Sequence, residues 1–253
     1  MLDEEFDVFS IRVEVGETRQ QSNSPAPLLV DGYKAPKGAL AFSGARMMRT
    51  AIYVDGFNLY YRALKGTPYK WVDLLALSQQ LIQPKNQITT IKYFTARVKP
   101  NKKRPDQHVH QDAYLQASLA HIPCLQVIEG TFLASITKMP LAYPSPGGPK
   151  FVEVLKSEEK GSDVNLAVHL VNDACESTFD VALVISNDSD LAEAIRIARQ
   201  KGKAVGVANP DPTKQMNYKL YDVASFRRRI EGKHLKAAQM PTVVGAFTKP
   251  ADW

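Results

Sequence analysis

Residues 181–190 read Val181-Ala182-Leu183-Val184-Ile185-Ser186-Asn187-Asp188-Ser189-Asp190, an apolar, β-branched run that stops abruptly in polar groups. A short apolar run bounded by turn residues is the pattern of a strand buried on both faces. Directly after it, Leu191, Ala194, Ile195 and Ala198 recur at helical spacing. Asp188 and Asp190 therefore stand where a strand gives way to a helix. In open α/β sheets, ligands bind at that edge, outside the carboxyl ends of the strands. Two adjacent carboxylates repel unless a proton, a cation or a base relieves them.

The same design occurs earlier. Residues 50–55, Thr50-Ala51-Ile52-Tyr53-Val54-Asp55, form an apolar strand ending in a carboxylate, and Gly56-Phe57-Asn58 turns the chain into a helix from Leu59. Between and beyond these two units the pattern predicts a helix over 72–82, with Leu74, Leu75, Leu77, Leu81 and Ile82 on its apolar side, and a strand over 88–98. A polar helix over 105–120, a strand over 124–128 and a loop or hairpin insertion through the Pro- and Gly-rich 131–156 follow. The chain continues with a helix from Asp163 carrying Val164, Ala167, Val168 and Val171 on one face, a last core strand over 204–208, and a helix over 218–230. Strand and helix alternating in this order imply an α/β fold, a three-layer α/β/α sandwich with a mostly parallel central sheet.

The 253 residues suffice for one large or two small domains, and 44% apolar with 23% charged content is ordinary for a soluble globular protein. The net charge of +6 favours a polyanionic partner. It is unevenly spread: residues 1–47 hold seven acids against five bases, so the remainder carries +8. Cys124 and Cys175 are too few for a disulfide framework, which points to a reducing compartment and a cytoplasmic location. No apolar run approaches the ~20 residues of a membrane span, so no membrane partner is expected. Residues 1–47 bury little and read as a poorly ordered extension; either translation starts naturally at Met48, just before the first strand, or the stretch is a real tail, with a short strand over 8–15.

The candidate chemistry lies in the carboxylates. A parallel sheet brings the strand ends at Asp55, Asp188 and Asp190 to one edge, and Asp163 opens a helix that can face it. Oxygen-only ligands select Mg²⁺ or Mn²⁺ over zinc. Asn58, one turn beyond Asp55, can hold a ligand water or a phosphate oxygen. A hydrated divalent ion there would orient a phosphate and lower the pKa of an attacking water, the chemistry of phosphodiester hydrolysis. Capping explains Asp188 or Asp190 alone about as well as catalysis does, and Asp163 alone better; the convergence of several is less easily explained as caps. Lys99, Lys102, Lys103 and Arg104 form a basic loop, and Lys160-Gly161-Ser162 can cradle a phosphate at a helix start. Arg227 to Arg229 can touch nucleic-acid backbone or simply end a helix in solvent. His108, His110 and His121 fall short of a zinc set. Neither G-x-G-x-x-G nor G-x-x-x-x-G-K-[ST] occurs.

Three blocks, Val54-Asp55-Gly56-Phe57-Asn58-Leu59, Glu159-Lys160-Gly161-Ser162-Asp163-Val164-Asn165-Leu166-Ala167 and Ser186-Asn187-Asp188-Ser189-Asp190, resemble in order and spacing the signature of the NYN domain, a branch of the PIN-like nucleases, and more narrowly its bacterial branch long left as a domain of unknown function. The resemblance spans about residues 49–210, and the ending Lys249-Pro250-Ala251-Asp252-Trp253 is similar to that of bacterial members. It implies a PIN-like fold and a Mg²⁺- or Mn²⁺-dependent endoribonuclease. Asp55, Asp163, Asp188 and Asp190 match the family's acidic, metal-holding positions and Asn58 its polar companion. Lys99, Lys102, Lys103, Arg104 and Lys160 would guide the RNA backbone. The RNA partner, single-stranded or structured, rests on the resemblance; the acidic edge would serve DNA as well, and a homodimer is left open. The organisation expected is an extension over 1–47, the nuclease domain over 48–210 with an insertion near 131–157, and a helical extension and tail over 211–253. Two rival readings stand beside it: a non-catalytic RNA-binding or regulatory protein on the same scaffold, and a phosphatase acting on small substrates.

Overall fold

The computed structural model describes residues 47–100, 105–251 and 253; the expectations for residues 1–46, the start of translation among them, lie outside these. Strand β1 (Met48–Asp55) runs into the short helix α1 (Gly56–Leu59), which continues as a π turn over Tyr60–Leu64. Helix α2 (Leu74–Leu81), strand β2 (Asn86–Ala96), helix α3 (Gln107–His121) and the long strands β3 (Leu125–Pro140) and β4 (Phe151–Lys160) follow. Then come α4 (Ser162–Cys175), β5 (Val181–Ile185), a 3-10 turn at Ser189–Leu191, α5 (Ala192–Gln200), β6 (Ala204–Asn209), α6 (Tyr218–Val223) and β7 (Phe226–Arg229). A helix α7 (Gly232–Ala237) and a two-residue hairpin of β8 (Val243–Val244) and β9 (Phe247–Thr248) close the chain.

Seven strands form the main sheet in the order β4-β3-β2-β1-β5-β6-β7, all neighbours parallel except the β3–β4 hairpin. The chain lays β1, β2 and β3 outward on one side, then crosses back through α4 to place β5 on the other side of β1. The order reverses between β1 and β5, the kind of switch point where a crevice opens at the carboxyl edge.

Alternation along the strands builds two cores. Ile52 and Val54 of β1 face one side with Leu59, Leu74, Leu77, Tyr114 and Leu115; Ala51 and Tyr53 face the other with Leu166, Leu170, Leu191 and Ile195. Helices thus cover both faces, as the pattern of apolar runs requires. Asp73 caps α2, its carboxylate accepting from Leu75 N and Ala76 N at 2.9 and 3.0 Å.

Two expectations are corrected, and between loop and hairpin for 131–156 the structure decides for the hairpin. Helix α4 buries Leu166, Leu170 and Ala174, while Val164 and Val168 are 65% and 60% exposed; the opposite face, at i, i+4 and i+8, carries the core. The region expected as loop or hairpin is a regular hairpin, paired from Thr131↔Lys160 to Pro140↔Phe151. The helix expected over 218–230 stops at Val223, and residues 226–229 form β7, paired in parallel with β6. So β6 is not the last strand, and the arginine triplet sits on a sheet edge. There Arg227 stacks on the Tyr221 ring at 3.7 Å, and Arg228 Nε donates to Leu81 O at 2.8 Å.

Candidate active site at the switch point

Asp55 ends β1 and is 3% exposed. Its Oδ1 accepts from Asn58 N at 2.9 Å, so it caps α1. Its Oδ2 accepts from Ser186 Oγ at 2.8 Å, one step past the Val54↔Ile185 pairing that closes β1 onto β5. The same Ser186 Oγ accepts from Asp188 N at 3.0 Å. One buried hydroxyl thus joins the two strand ends and sets the position of Asp188 relative to Asp55. Asp188 in turn caps the 3-10 turn, its Oδ1 accepting from Asp190 N at 3.0 Å. Asp190 is exposed. Asn58 Oδ1 accepts from Asn187 N at 3.1 Å, which pins α1 to the β5 loop.

Asp163 comes from the first turn of α4. That turn begins at Gly161, whose φ of 100° is left-handed and suits glycine. Glu159 secures it, accepting from Ser162 N at 3.0 Å and Ser162 Oγ at 2.8 Å. Gly130 of β3 lies directly beneath: a Cβ there would stand 2.5 Å from Glu159 Oε1 and 2.6 Å from Lys160 O.

The electrostatics mark the cluster. Burial raises the Asp163 carboxyl to about 7, and Asp55, Asp188, Glu159 and Asp190 push in the same direction, in that order. Burial likewise raises Asp55 to about 6, against the lowering by its hydrogen bonds from Asn58 and Ser186, with Asp188 and Glu159 adding to the rise. All four expected aspartates therefore share one acidic field, joined by Glu159, which the sequence reading quoted within a motif without assigning it to the site. Among the described residues, no three Asp, Glu, His or Cys side chains stand close enough to enclose an ion. The donor set still fits a hydrated Mg²⁺, which binds through one or two carboxylates and keeps its waters.

The basic residues are placed less tightly. Lys99 is exposed; Lys102, Lys103 and Arg104 lie outside the described residues. Lys160 pairs with Glu158 at 2.9 Å. His121 pairs with Asp73 at 3.0 Å and His110 lies edge-on to Trp253, so neither joins the acidic edge. Cys124 and Cys175 are both free thiols, and no helix among the described residues is long and apolar enough to cross a membrane.

On the far side of Gly56 an aromatic cleft of about 70 Å³ opens, lined among others by Tyr60, Tyr61, Tyr93 and Trp253.

The family model of the NYN domain matches residues 49–227. The chain is 32% identical over 235 residues to 6-hydroxy-3-succinoylpyridine 3-monooxygenase HspA of Pseudomonas putida (strain DSM 28022 / S16), covering 81% of this chain and 75% of the relative. A crystal structure of a protein of unknown function from Vibrio parahaemolyticus RIMD 2210633 aligns at a TM-score of 0.46 and 16% identity, over 77% of this chain and 98% of that one. With the family model matching well over half of its length, the chain belongs to the NYN domain family, a PIN-like nuclease family.

Proposed function

We propose that this protein is a metal-dependent endoribonuclease that hydrolyses RNA phosphodiester bonds in the cytoplasm. The observation that carries the reading is the convergence of Asp55, Asp163, Asp188 and Asp190 at the switch point, where burial and mutual repulsion raise two of the carboxyls. Such a cluster is relieved by a hard divalent cation. One or two of Asp55, Asp163 and Asp188 would hold a hydrated Mg²⁺ or Mn²⁺ directly, the rest through its waters. When bound, the ion supplies charge to polarise a phosphate and to acidify water.

The chain's own groups do the rest. Asp190, exposed at the edge, orients the attacking water and accepts its proton. Asn58 spends its carbonyl oxygen on Asn187 N, which leaves the amide NH₂ as the group to donate to a phosphate oxygen. Ser186 keeps Asp55 and Asp188 in fixed relation. Lys99, Lys102, Lys103, Arg104 and Lys160 attract the strand.

The test is cleavage of labelled single-stranded RNA and matching DNA with Mn²⁺, Mg²⁺ or chelator, beside Asp188→Asn. Metal-dependent RNA cutting that disappears in the variant is expected. RNA binding without cutting under either metal would overturn the assignment in favour of a non-catalytic RNA-binding scaffold.

A second reading comes from the HspA relative, named for mono-oxygenation of a substituted pyridine. The aromatic cleft beside the acidic edge could seat such a ring. Mono-oxygenation consumes molecular oxygen and two reducing equivalents, so oxygen uptake on a hydroxypyridine with NADH would favour it, and no uptake would remove it.

A further inference from the structure

The cleft is walled by six aromatic residues, Phe57, Tyr60, Tyr61, Tyr93, Tyr114 and Trp253. Tyr60 and Tyr61 pair at 5.2 Å between centroids, and Tyr114 packs against both Tyr93 at 6.3 Å and Trp253 at 6.1 Å. They converge from four elements. Phe57 comes from α1, Tyr60 and Tyr61 from the π turn, Tyr93 from β2 and Tyr114 from α3, while Trp253 is the last residue of the chain. A π turn carries an extra residue per turn and is frequent at functional sites; here both of its tyrosines line the cleft.

Position separates this cleft from an ordinary surface dimple. Gly56 lines it and is bonded directly to Asp55. A Cβ on Gly56 would stand 2.7 Å from both Tyr93 Cζ and Phe94 O. The wall between the acidic edge and the rings is thus as thin as glycine allows. The floor is polar but already set: Gln111 Nε2 donates to Ala96 O at 2.9 Å, and its Oε1 accepts from Val98 N at 2.8 Å. Lys70 brings a cation to the lining, 5.7 Å from the Trp253 ring centroid.

Aromatic walls and a cation, beside an acidic edge where a divalent ion would receive a phosphate, match a nucleotide, whose flat base and charged phosphate are separated by one sugar. Stacking of bases on aromatic side chains tolerates every base. We propose that this cleft is the seat of a nucleobase in the strand, next to the phosphate at Asp55. The proposal rests on the ribonuclease reading of the acidic edge.

The experiment is calorimetric titration of the full chain in chelator-containing buffer with adenosine and uridine monophosphates, ribose 5-phosphate and a hydroxypyridine. Tyr61→Ala and Tyr61→Leu are measured beside the wild type, with thermal melts to confirm that each is folded. Both nucleotides are expected to bind and ribose 5-phosphate to bind at least about tenfold more weakly, with both variants losing about tenfold in nucleotide affinity. Equal binding of nucleotide and ribose phosphate, or unchanged affinity in a folded variant, overturns the proposal. So does binding of the hydroxypyridine alone, which would assign the cleft to a small free ring. Because the titration needs neither metal nor turnover, nucleotide binding by a protein that cuts no RNA would leave the cleft standing and remove only the hydrolytic reading.

Discussion

Asp188 shows how one side chain serves the fold and the chemistry together. Its Oδ1 caps the 3-10 turn through Asp190 N, the bland role that its place after a strand suggests. An asparagine caps as well as an aspartate, so Asp188→Asn keeps the turn and removes only the charge. Cleavage is expected to fall by a factor of about a hundred or more, a typical loss when a transition-state electrostatic group is removed, with the melting temperature within a few degrees of wild type. Single-turnover RNA cleavage and a thermal melt check this. Asp163 is the complementary case. The carboxyls of Asp163 and Asp55 titrate at about 7 and about 6 in the folded protein, against an ordinary value of 3.8. In that interval the folded state holds protons that the unfolded chain has released. The contribution of these two groups to the stability of the metal-free protein is therefore greatest below about pH 4 and declines as pH rises through 7. Asp163→Asn is expected to stabilise the metal-free protein at pH 8 by on the order of 1–2 kcal/mol, discounted for the partial exposure of the group, and to have little effect at pH 4. Denaturant melts at the two pH values in chelator give the answer; a variant less stable at pH 8 would show that the repulsion is already relieved.

At the scale of elements, the site depends on how closely α4 approaches β3. The helix begins over Gly130, and Glu159 holds its first turn. Gly130→Ala would drive a methyl into Glu159 and the Lys160 carbonyl. A loss of about 1–3 kcal/mol is expected from the overpacking, and a larger drop in cleavage than in stability, because displacing the turn moves Asp163. Comparing the activity of Gly130→Ala with its denaturation midpoint separates the two effects. The misread elements have identifiable causes. Val164 and Val168 suggested one face of α4, yet Leu166, Leu170 and Ala174 supply the other and carry it. Residues 226–229 alternate half-buried and exposed, a period-two signal that the charge of three consecutive arginines obscured.

On the scale of the molecule, the sheet is stitched to α4 by a buried polar group away from the acidic edge. Lys92 Nζ of β2 and Tyr53 OH of β1 both reach Asp173 Oδ2 at 2.6 Å, and Lys92 Nζ lies 3.2 Å from His169 Nδ1. Burial and Lys92 hold His169 below its ordinary range, so the neutral ring accepts from the lysine. Asp173→Ala leaves Lys92 buried without its counter-charge, and is expected to cost about 3–5 kcal/mol. Urea denaturation measures the loss. RNA cleavage under folding conditions should persist, because this network lies apart from the switch point.

Local patterning determined the α/β class, both aspartate-terminated strands and the three acidic blocks, because strand runs, turn residues and helix starts are properties of neighbouring residues. Order along the chain also implied that strand ends meet at one edge. Only the tertiary structure decided which strands are neighbours, and hence that Ser186 ties Asp55 to Asp188, that Glu159 joins the acidic field, and that rings from residue 57 to residue 253 enclose one cleft. Those contacts join residues far apart in sequence, and packing, not periodicity, selects them.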